Sequence, residues 1–116
     1  MMRRGEIRIV DLDPVIGTEA NKRRPAVIVS NDGANTTAAR LGRGVLTIVP
    51  LTSNTETVHP FQVLLEADAV GLANDCKAQA EQIRSVDARR IGKRVGSVPH
   101  RLMDDLDEAI RLHLVL

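Results

Sequence analysis

The chain has 116 residues, of which 43% are hydrophobic and 27% are charged, and its formal net charge is +1. This length fits a single domain, 1–116, with its own core, and the composition is typical of a globular chain. The one aromatic side chain, Phe61, argues against a protein that stacks single-stranded bases on aromatic faces. Because the net charge is small, any affinity for a polyanion must come from a local basic patch.

The cysteine count and the hydropathy pattern indicate the cellular compartment in which the protein resides. The single cysteine, Cys76, excludes an internal disulfide and is typical of a reducing environment. No apolar stretch approaches the length of a membrane span, and the N-terminus lacks the apolar core of a signal peptide. We therefore expect a cytoplasmic protein that makes no membrane contact.

The first half of the chain predicts three strands. Ile7 and Ile9 alternate with Arg8 as in a half-buried strand, and the change of phase at Val10 indicates a bulge. The further elements predicted here are a polar connection over 13–24, a strand over 26–30, one or two helical turns over 35–40, and a doubly buried strand over 45–51 with Pro50 at an edge or near its end.

The second half predicts shorter strands and one clear helix. The predicted elements are a strand over 61–65, a loop over 67–75, a strand over 76–84 that bends near Glu81, a helical turn capped by Asp87, and a strand over 95–98. After Pro99, apolar residues recur at helical spacing opposite an acidic face. Many short strands followed by a helix indicate a mainly β (α+β) fold, a small and strongly bent antiparallel sheet or barrel.

The stretch 22–32 is the most informative part of the sequence. Lys22, Arg23 and Arg24 run into Pro25 and a short β-branched apolar segment, which predicts a buried strand. Arg24 then lies at the entrance of that strand, where its planar guanidinium suits a phosphate group. The alternative interpretation is a solvated basic turn.

Several kinds of site are not supported by the sequence. His59, His100 and His113 lack the spacing of a zinc site, and no glycine-rich nucleotide loop or nucleophile elbow is present. Cys76 falls inside a predicted strand and is interpreted as a packed thiol. We therefore expect no metal and no cofactor.

The remaining polar residues suit a phosphodiester. They are Arg24, Thr52, Ser53, Glu19, Gln82 and Arg84. Arginine stabilises charge on a pentacovalent phosphorus, and hydroxyl groups donate to its non-bridging oxygens. If the substrate is RNA, its own 2′-hydroxyl can attack, so that the protein needs only a base, an acid and an anion holder.

The sequence also resembles a known family. Stretches 5–14, 17–32, 49–53, 59–65 and 81–85 resemble, in this order, the blocks of the MazF/PemK toxin family, in particular its mycobacterial branch. The resemblance implies an SH3-like small barrel of the CcdB/PemK type with a C-terminal helix. It further implies a homodimeric, metal-independent, sequence-specific endoribonuclease, the toxin of a type II toxin–antitoxin pair.

The resemblance also assigns roles to residues and partners. It implies catalytic roles for Arg24, Thr52 and Glu19. We expect substrate contacts from Lys22, Arg23, Ser53, Asn31, Gln82 and Arg84. The expected partners are single-stranded RNA, a second copy of the chain, and a MazE-like antitoxin with a disordered C-terminal segment that folds on binding. Cleavage would leave 2′,3′-cyclic phosphate and 5′-hydroxyl ends.

Two positions depart from the family pattern. Arg8 stands where members usually carry an aromatic residue, and Arg23 stands where some members carry a histidine. Because arginine stays charged at neutral pH and histidine does not, the general acid and base are not assigned. The alternatives are a CcdB-like inhibitor that binds a protein such as gyrase, and an inactive member that binds only an antitoxin.

Overall fold

The computed structural model describes residues 1–14, 16–19 and 22–116. Its strands are β1 (Glu6–Asp11), β2 (Arg23–Ile28), β3 (Val45–Thr52), β4 (Gln62–Leu65), β5 (Cys76–Gln79), β6 (Arg84–Asp87) and β7 (Ile91–Ser97). The α-helices are α1 (Asp32–Leu41), α2 (Ala67–Val70) and α3 (His100–Leu114). The predicted connection over 13–24 contains Val15, Ala20 and Asn21, which lie outside the described residues.

The strands form one antiparallel sheet organised around β3. The order is β4-β5-β3-β2-β1-β7, and β6 also pairs with β3. β3 pairs with β2 on one side, while on the other it pairs with β6 over Val45–Ile48 and with β5 over Leu51–Thr52. Pro50 lies between the β6 and β5 segments, so neither ladder needs the N–H that proline lacks. Pro50 lies near the end of β3, as predicted, but in a central strand.

The bends in the sheet fall where the sequence predicts them. A 3-10 turn at Ala80–Gln82 confirms the predicted bend near Glu81. The single strand predicted over 76–84 is wrong, because this turn divides it into β5 and the start of β6. The pairing of β1 with β7 changes register on both sides of Arg8, in agreement with the predicted bulge. The carboxylate of Asp87 accepts a hydrogen bond from the backbone N–H of Arg89, which confirms the predicted capped turn.

The core occupies both faces of the sheet. Along β2, Ala26 and Ile28 belong to a smaller apolar cluster that includes α1, and Val27 belongs to a larger cluster that includes α3. This alternation follows from the two-residue period of a strand. β3 contributes to both clusters through Ile48 and Val49, which confirms the prediction that this strand is buried on both faces.

The predicted C-terminal helix is confirmed. Leu102, Met103, Leu106 and Ala109 are the buried residues of α3, and Pro99 is its N-cap. At the outer side of the helix, Asp107 pairs with the guanidinium of Arg4, whose Nε also donates to the carbonyl of Val29 at 3.0 Å. The N-terminal segment, the end of β2 and α3 are therefore joined at one place.

The predicted limits of β2 are wrong at both ends. The strand begins at Arg23, three residues before the predicted start, because Arg23 and Arg24 pair with Asp11 and Val10 of β1. Pro25 is tolerated inside the strand because the ladder to β3 begins only at Ala26. The polar side chains of Arg23 and Arg24 do not indicate a strand. Backbone pairing with β1 makes these two residues part of β2.

Two helices exceed their predictions. α1 is a full ten-residue helix from Asp32 to Leu41, because the side chain of Asn31 caps it earlier than the predicted start at 35. The segment predicted as loop over 67–75 begins with the single helical turn α2. β7 also begins at Ile91, four residues before its predicted start, because β1 pairs with it from there.

No helix among the described residues is long and apolar enough to cross a membrane.

Candidate functional site

A cleft of about 390 Å³ opens where β2 begins and β3 ends. Its walls are residues 22–25, 51–53 and 72–76. Antiparallel neighbours place the start of one strand beside the end of the next, so the fold itself brings the first two segments together. The third segment leads into β5, which pairs with the end of β3.

Arg24 and Thr52 line this cleft from two neighbouring strands. The β2–β3 ladder begins at the pair of Ala26 with Pro50, and continuing that register by two residues would place Arg24 opposite Thr52. Residues that lie opposite each other project from the same face of a sheet. Both residues line the cleft and both are partly buried, so the guanidinium and the hydroxyl are presented to one volume.

Two further cations extend the basic side of the cleft. Lys22 has a positive φ of 65°, and its backbone is held by Asp13, whose Oδ1 accepts from the Lys22 N–H at 2.9 Å, and by Leu12, whose N–H donates to the Lys22 carbonyl at 3.0 Å. The guanidinium of Arg23 lies beside Gly92 of β7. Its Nη2 is 3.7 Å from the point where a side chain in place of Gly92 would have its β-carbon. The structure thus brings Lys22, Arg23, Arg24, Thr52 and Ser53 to one cleft.

Gln82 and Arg84 lie against the β1–β2 connection and do not line the cleft. Gln82 Nε2 donates to the carbonyl of Thr18 at 3.2 Å, and Arg84 Nη1 donates to the carbonyl of Leu12 at 3.3 Å. Gln82 and Arg84 therefore hold the backbone of the β1–β2 connection at Thr18 and at Leu12.

Glu19 is exposed in the same connection. Its Oε1 accepts from the backbone N–H of Ile16 at 2.9 Å, and its own N–H donates to the Ile16 carbonyl at 3.3 Å. The carboxylate closes a local turn, and Glu19 is not among the residues that line the cleft.

Asn31 lies at the opposite end of β2. Its Oδ1 accepts from the backbone N–H of Ala34 at 2.8 Å and caps α1. Within one chain the structure does not bring Asn31 together with the cleft residues, and its assignment to substrate binding stays a prediction.

Cys76 forms part of the cleft wall but is buried. Burial, followed by the nearby charge of Asp75, raises the pKa of the Cys76 thiol to about 11. The thiol is therefore protonated at neutral pH and is a weak nucleophile. This agrees with its interpretation as a packed thiol.

Sequence reasoning missed two parts of this region. The segment 72–75 reads as an ordinary polar loop, yet it forms a wall of the cleft. Lys77 occupies a polar position of an alternating strand, which predicts a solvated side chain, but only 8% of the residue is exposed. The sequence signal that could have indicated the burial of Lys77 is its position directly after Cys76, a packed residue of the same predicted strand.

Comparison with known proteins places the fold and the cleft in context. A family model described as the PemK-like, MazF-like toxin of type II toxin–antitoxin systems matches residues 3–114. The chain belongs to this family. Among curated relatives, the toxin is 62% identical to endoribonuclease MazF9 of Mycobacterium tuberculosis over 116 residues, which are all of this chain and 98% of the relative.

Solved structures share the fold of this toxin. MazF from Deinococcus radiodurans aligns with a TM-score of 0.82 at 24% identity, covering 99% of this chain and 97% of that one. An endoribonuclease from a mycobacterial species, solved in complex with its cognate antitoxin, aligns with a TM-score of 0.77 at 23% identity over 100% and 97% of the two chains.

These findings confirm the predicted family, and the fold that it implies. The sheet is open, since β4 and β7 are not paired with each other in the described part of the chain, but its bent antiparallel form is compatible with an SH3-like barrel. The match to PemK-like, MazF-like toxins supports the family reading and gives no support to the CcdB-like alternative.

Proposed function

We propose that this toxin is a sequence-specific endoribonuclease that cleaves single-stranded RNA in the cleft between β2 and β3. The observation that supports the proposal is that Arg24 and Thr52 line one cleft together with Lys22 and Arg23. The full-length relative from M. tuberculosis is an endoribonuclease by name, which supports the same activity here.

The reaction needs no bound group other than RNA. The 2′-hydroxyl of one nucleotide attacks the adjacent phosphorus, the bond to the 5′-oxygen of the next nucleotide breaks, and the 2′-proton leaves to a base. The products are a 2′,3′-cyclic phosphate and, after an acid protonates the leaving oxygen, a 5′-hydroxyl. Charge builds on the non-bridging oxygens in the transition state, and stabilising that charge is the main task of the protein.

Arg24 and Thr52 carry this task in the proposal. The guanidinium of Arg24 can donate two parallel hydrogen bonds to the phosphate, and the Thr52 hydroxyl donates a further one or orients the 2′-hydroxyl. Lys22, Arg23 and Ser53 line the same cleft and hold the neighbouring backbone of the RNA. Phosphate contacts of this kind position a strand without reading its sequence.

Glu19 is the proposed general base. To act, its carboxylate must exchange the N–H of Ile16 for a substrate hydroxyl. Gln82 and Arg84 contribute at the edge of the RNA groove and also fix the segment through Thr18 and Leu12. Asn31 lies outside the residues that line the cleft, so its predicted contact with the substrate is tested separately.

The toxin also has proposed protein partners. As a member of a type II toxin family, it is expected to bind an antitoxin whose acidic or apolar segment competes with RNA for Arg23 and Arg24. A homodimer would cover the exposed apolar end of α3, where Leu112 is 56% exposed and Val115 is 89% exposed. Cellular RNA as the substrate implies that the toxin acts in the cytoplasm.

The decisive experiment uses the purified chain and a mixed RNA pool in the presence of EDTA. New 5′ ends are mapped by sequencing, and the chemistry of the ends is tested by their need for phosphorylation before ligation. Cleavage at one short recurrent sequence with 5′-hydroxyl ends is expected. A pool that stays intact, both with EDTA and with added Mg²⁺, would overturn the proposed activity.

A further inference from the structure

Lys77 is a buried cation beside the proposed catalytic pair. The β3–β5 ladder pairs Thr52 with Lys77, so their side chains project from the same face of the sheet. Arg24 and Thr52 line the same cleft. Only 8% of Lys77 is exposed, which is rare for a lysine without an acidic partner.

No carboxylate neutralises Lys77 within the described part of the chain. The ammonium donates to the backbone carbonyl of Thr57, in the segment between β3 and β4, and the ion pairs among the described residues involve other side chains. Withdrawing a cation from water costs free energy unless an opposite charge compensates for it.

A bound polyanion removes the cost. We propose that Lys77 positions the RNA backbone at the edge of the cleft: its ammonium has three N–H donors, of which one holds the Thr57 carbonyl in the segment that follows Ser53 and the others serve a phosphate of the bound strand. This inference rests on the proposed function and extends it, since Lys77 is neither a family-assigned residue nor part of the cleft wall. The ligand it serves is the phosphodiester backbone, so Lys77 adds affinity without sequence preference.

The test measures RNA affinity as a function of salt. The probe is an oligonucleotide with the mapped cleavage sequence and a 2′-deoxy residue at the cleavage position, which removes the attacking hydroxyl. Each charge that contacts a single strand adds about 0.7 to the slope of log affinity against log salt. Lys77→Met, which keeps the shape, should lower the slope by about 0.7 and weaken binding about tenfold at low salt, whereas Lys77→Arg should keep the wild-type slope.

Lys93→Met is the matched control. Lys93 is an exposed lysine on β7, which β3, β2 and β1 separate from β5 in the sheet, and its loss should leave the slope and affinity near wild type. Single-turnover cleavage at saturating RNA should change less than threefold in Lys77→Met, because a positioning charge acts mainly on binding.

Three results would overturn the inference. One is a folded Lys77→Met with the wild-type slope while the wild-type protein cleaves RNA, which leaves the proposed function standing. Another is a folded Lys77→Arg with the reduced slope. If Lys77→Met does not fold, Lys77→Gln replaces it and the same slope criterion applies. A wild-type protein that cleaves no RNA in the pool experiment would overturn both this inference and the proposed function.

Discussion

The two ends of β2 are equally polar in sequence but differ in how their side chains are used. At its end, Asn31 caps α1, while the fully buried Asn35 donates to the carbonyl of Ser30 at 2.8 Å and accepts from the Ser30 hydroxyl. Ser30 in turn accepts from the backbone N–H of Thr47 in β3 at 3.1 Å. Here polar groups meet one another inside the fold.

At its start, β2 carries Arg23 and Arg24 into an open cleft, directly after Lys22. Like charges in succession repel each other, and a bound anion relieves that repulsion. The comparison teaches that the polar groups at the end of β2 stabilise the fold, whereas the cluster of cations at its start suits an anionic ligand. Substitutions at the two ends should therefore change different measurements.

The largest effect is expected from Arg24→Ala. Cleavage should fall by about two to three orders of magnitude, the usual loss when one stabiliser of transition-state charge is removed. Arg24→Lys should recover only part of the rate, because a point charge cannot form the two-pronged contact. Single-turnover cleavage of a labelled RNA measures the rate, and circular dichroism checks the fold.

Arg40→Ala is the control for that measurement. Arg40 is exposed in the last turn of α1, beyond the other end of β2, and cleavage should stay within about twofold of wild type, since isolated surface charges contribute little. If a folded Arg24→Ala protein cleaved RNA at the wild-type rate, the cleft would not be the site of the proposed reaction.

Asn35→Ala should have the largest effect on stability. The substitution leaves the Ser30 hydroxyl and carbonyl without their buried partner, and we expect the free energy of unfolding to fall by about 2 kcal/mol. Urea unfolding followed by circular dichroism measures this loss. The cleavage rate per folded molecule should be unchanged. If cleavage fell while stability did not, the end of β2 would act on the RNA site and not on the fold, contrary to the expectation.

Thr52→Val should reduce cleavage by about one to two orders of magnitude. The substitution keeps the shape and removes a hydroxyl that donates to a charged phosphate, a bond whose loss costs about 1.5–3 kcal/mol. The hydroxyl also accepts weakly from the backbone N–H of Asn54 at 3.3 Å, so the unfolding midpoint is measured alongside. Combined with Arg24→Ala, the loss should be smaller than the sum of the two, because both groups act on one phosphate. Strict additivity would count against a shared phosphate.

Asn31→Ala should have the smallest effect on stability, and it compares most directly the end of β2 with its start. Loss of the cap should lower the free energy of unfolding by about 1 kcal/mol, and we expect cleavage by the folded protein to stay within twofold. A tenfold loss of cleavage without unfolding would instead confirm Asn31 as a substrate contact, and would place part of the RNA site at this end of β2.

Local patterns predicted the elements whose residues determine them. The helical spacing of Leu102, Leu106 and Ala109 was sufficient for α3, and the apolar run of β3 was sufficient for its burial on both faces. The polar starts of β2 and β7 were missed because pairing with β1, not side-chain character, makes those residues strand.

The site needed information that no local pattern contains. The meeting of Arg24 and Thr52 at one cleft depends on how β2 and β3 pair. The residues alone placed both in a wider polar set suited to a phosphodiester, and only the resemblance to a family singled them out as a catalytic pair. Lys77 was missed for the same reason, since its burial depends on the segment that folds over it. Registers and covering segments are long-range features, and one sequence does not specify them by pattern alone.

The cysteine in the cleft wall has a consequence for the response of the toxin to oxidants. With a pKa of about 11 for Cys76, only about one thiol in ten thousand is ionised at pH 7. Peroxide and glutathione disulfide react with thiolates, so the cleft should stay reduced in conditions that oxidise an exposed cysteine. Mass spectrometry of the peroxide-treated protein should find Cys76 unmodified at pH 7 and oxidised above about pH 10. Oxidation of this thiol is therefore not a route by which peroxide would alter the cleft at neutral pH.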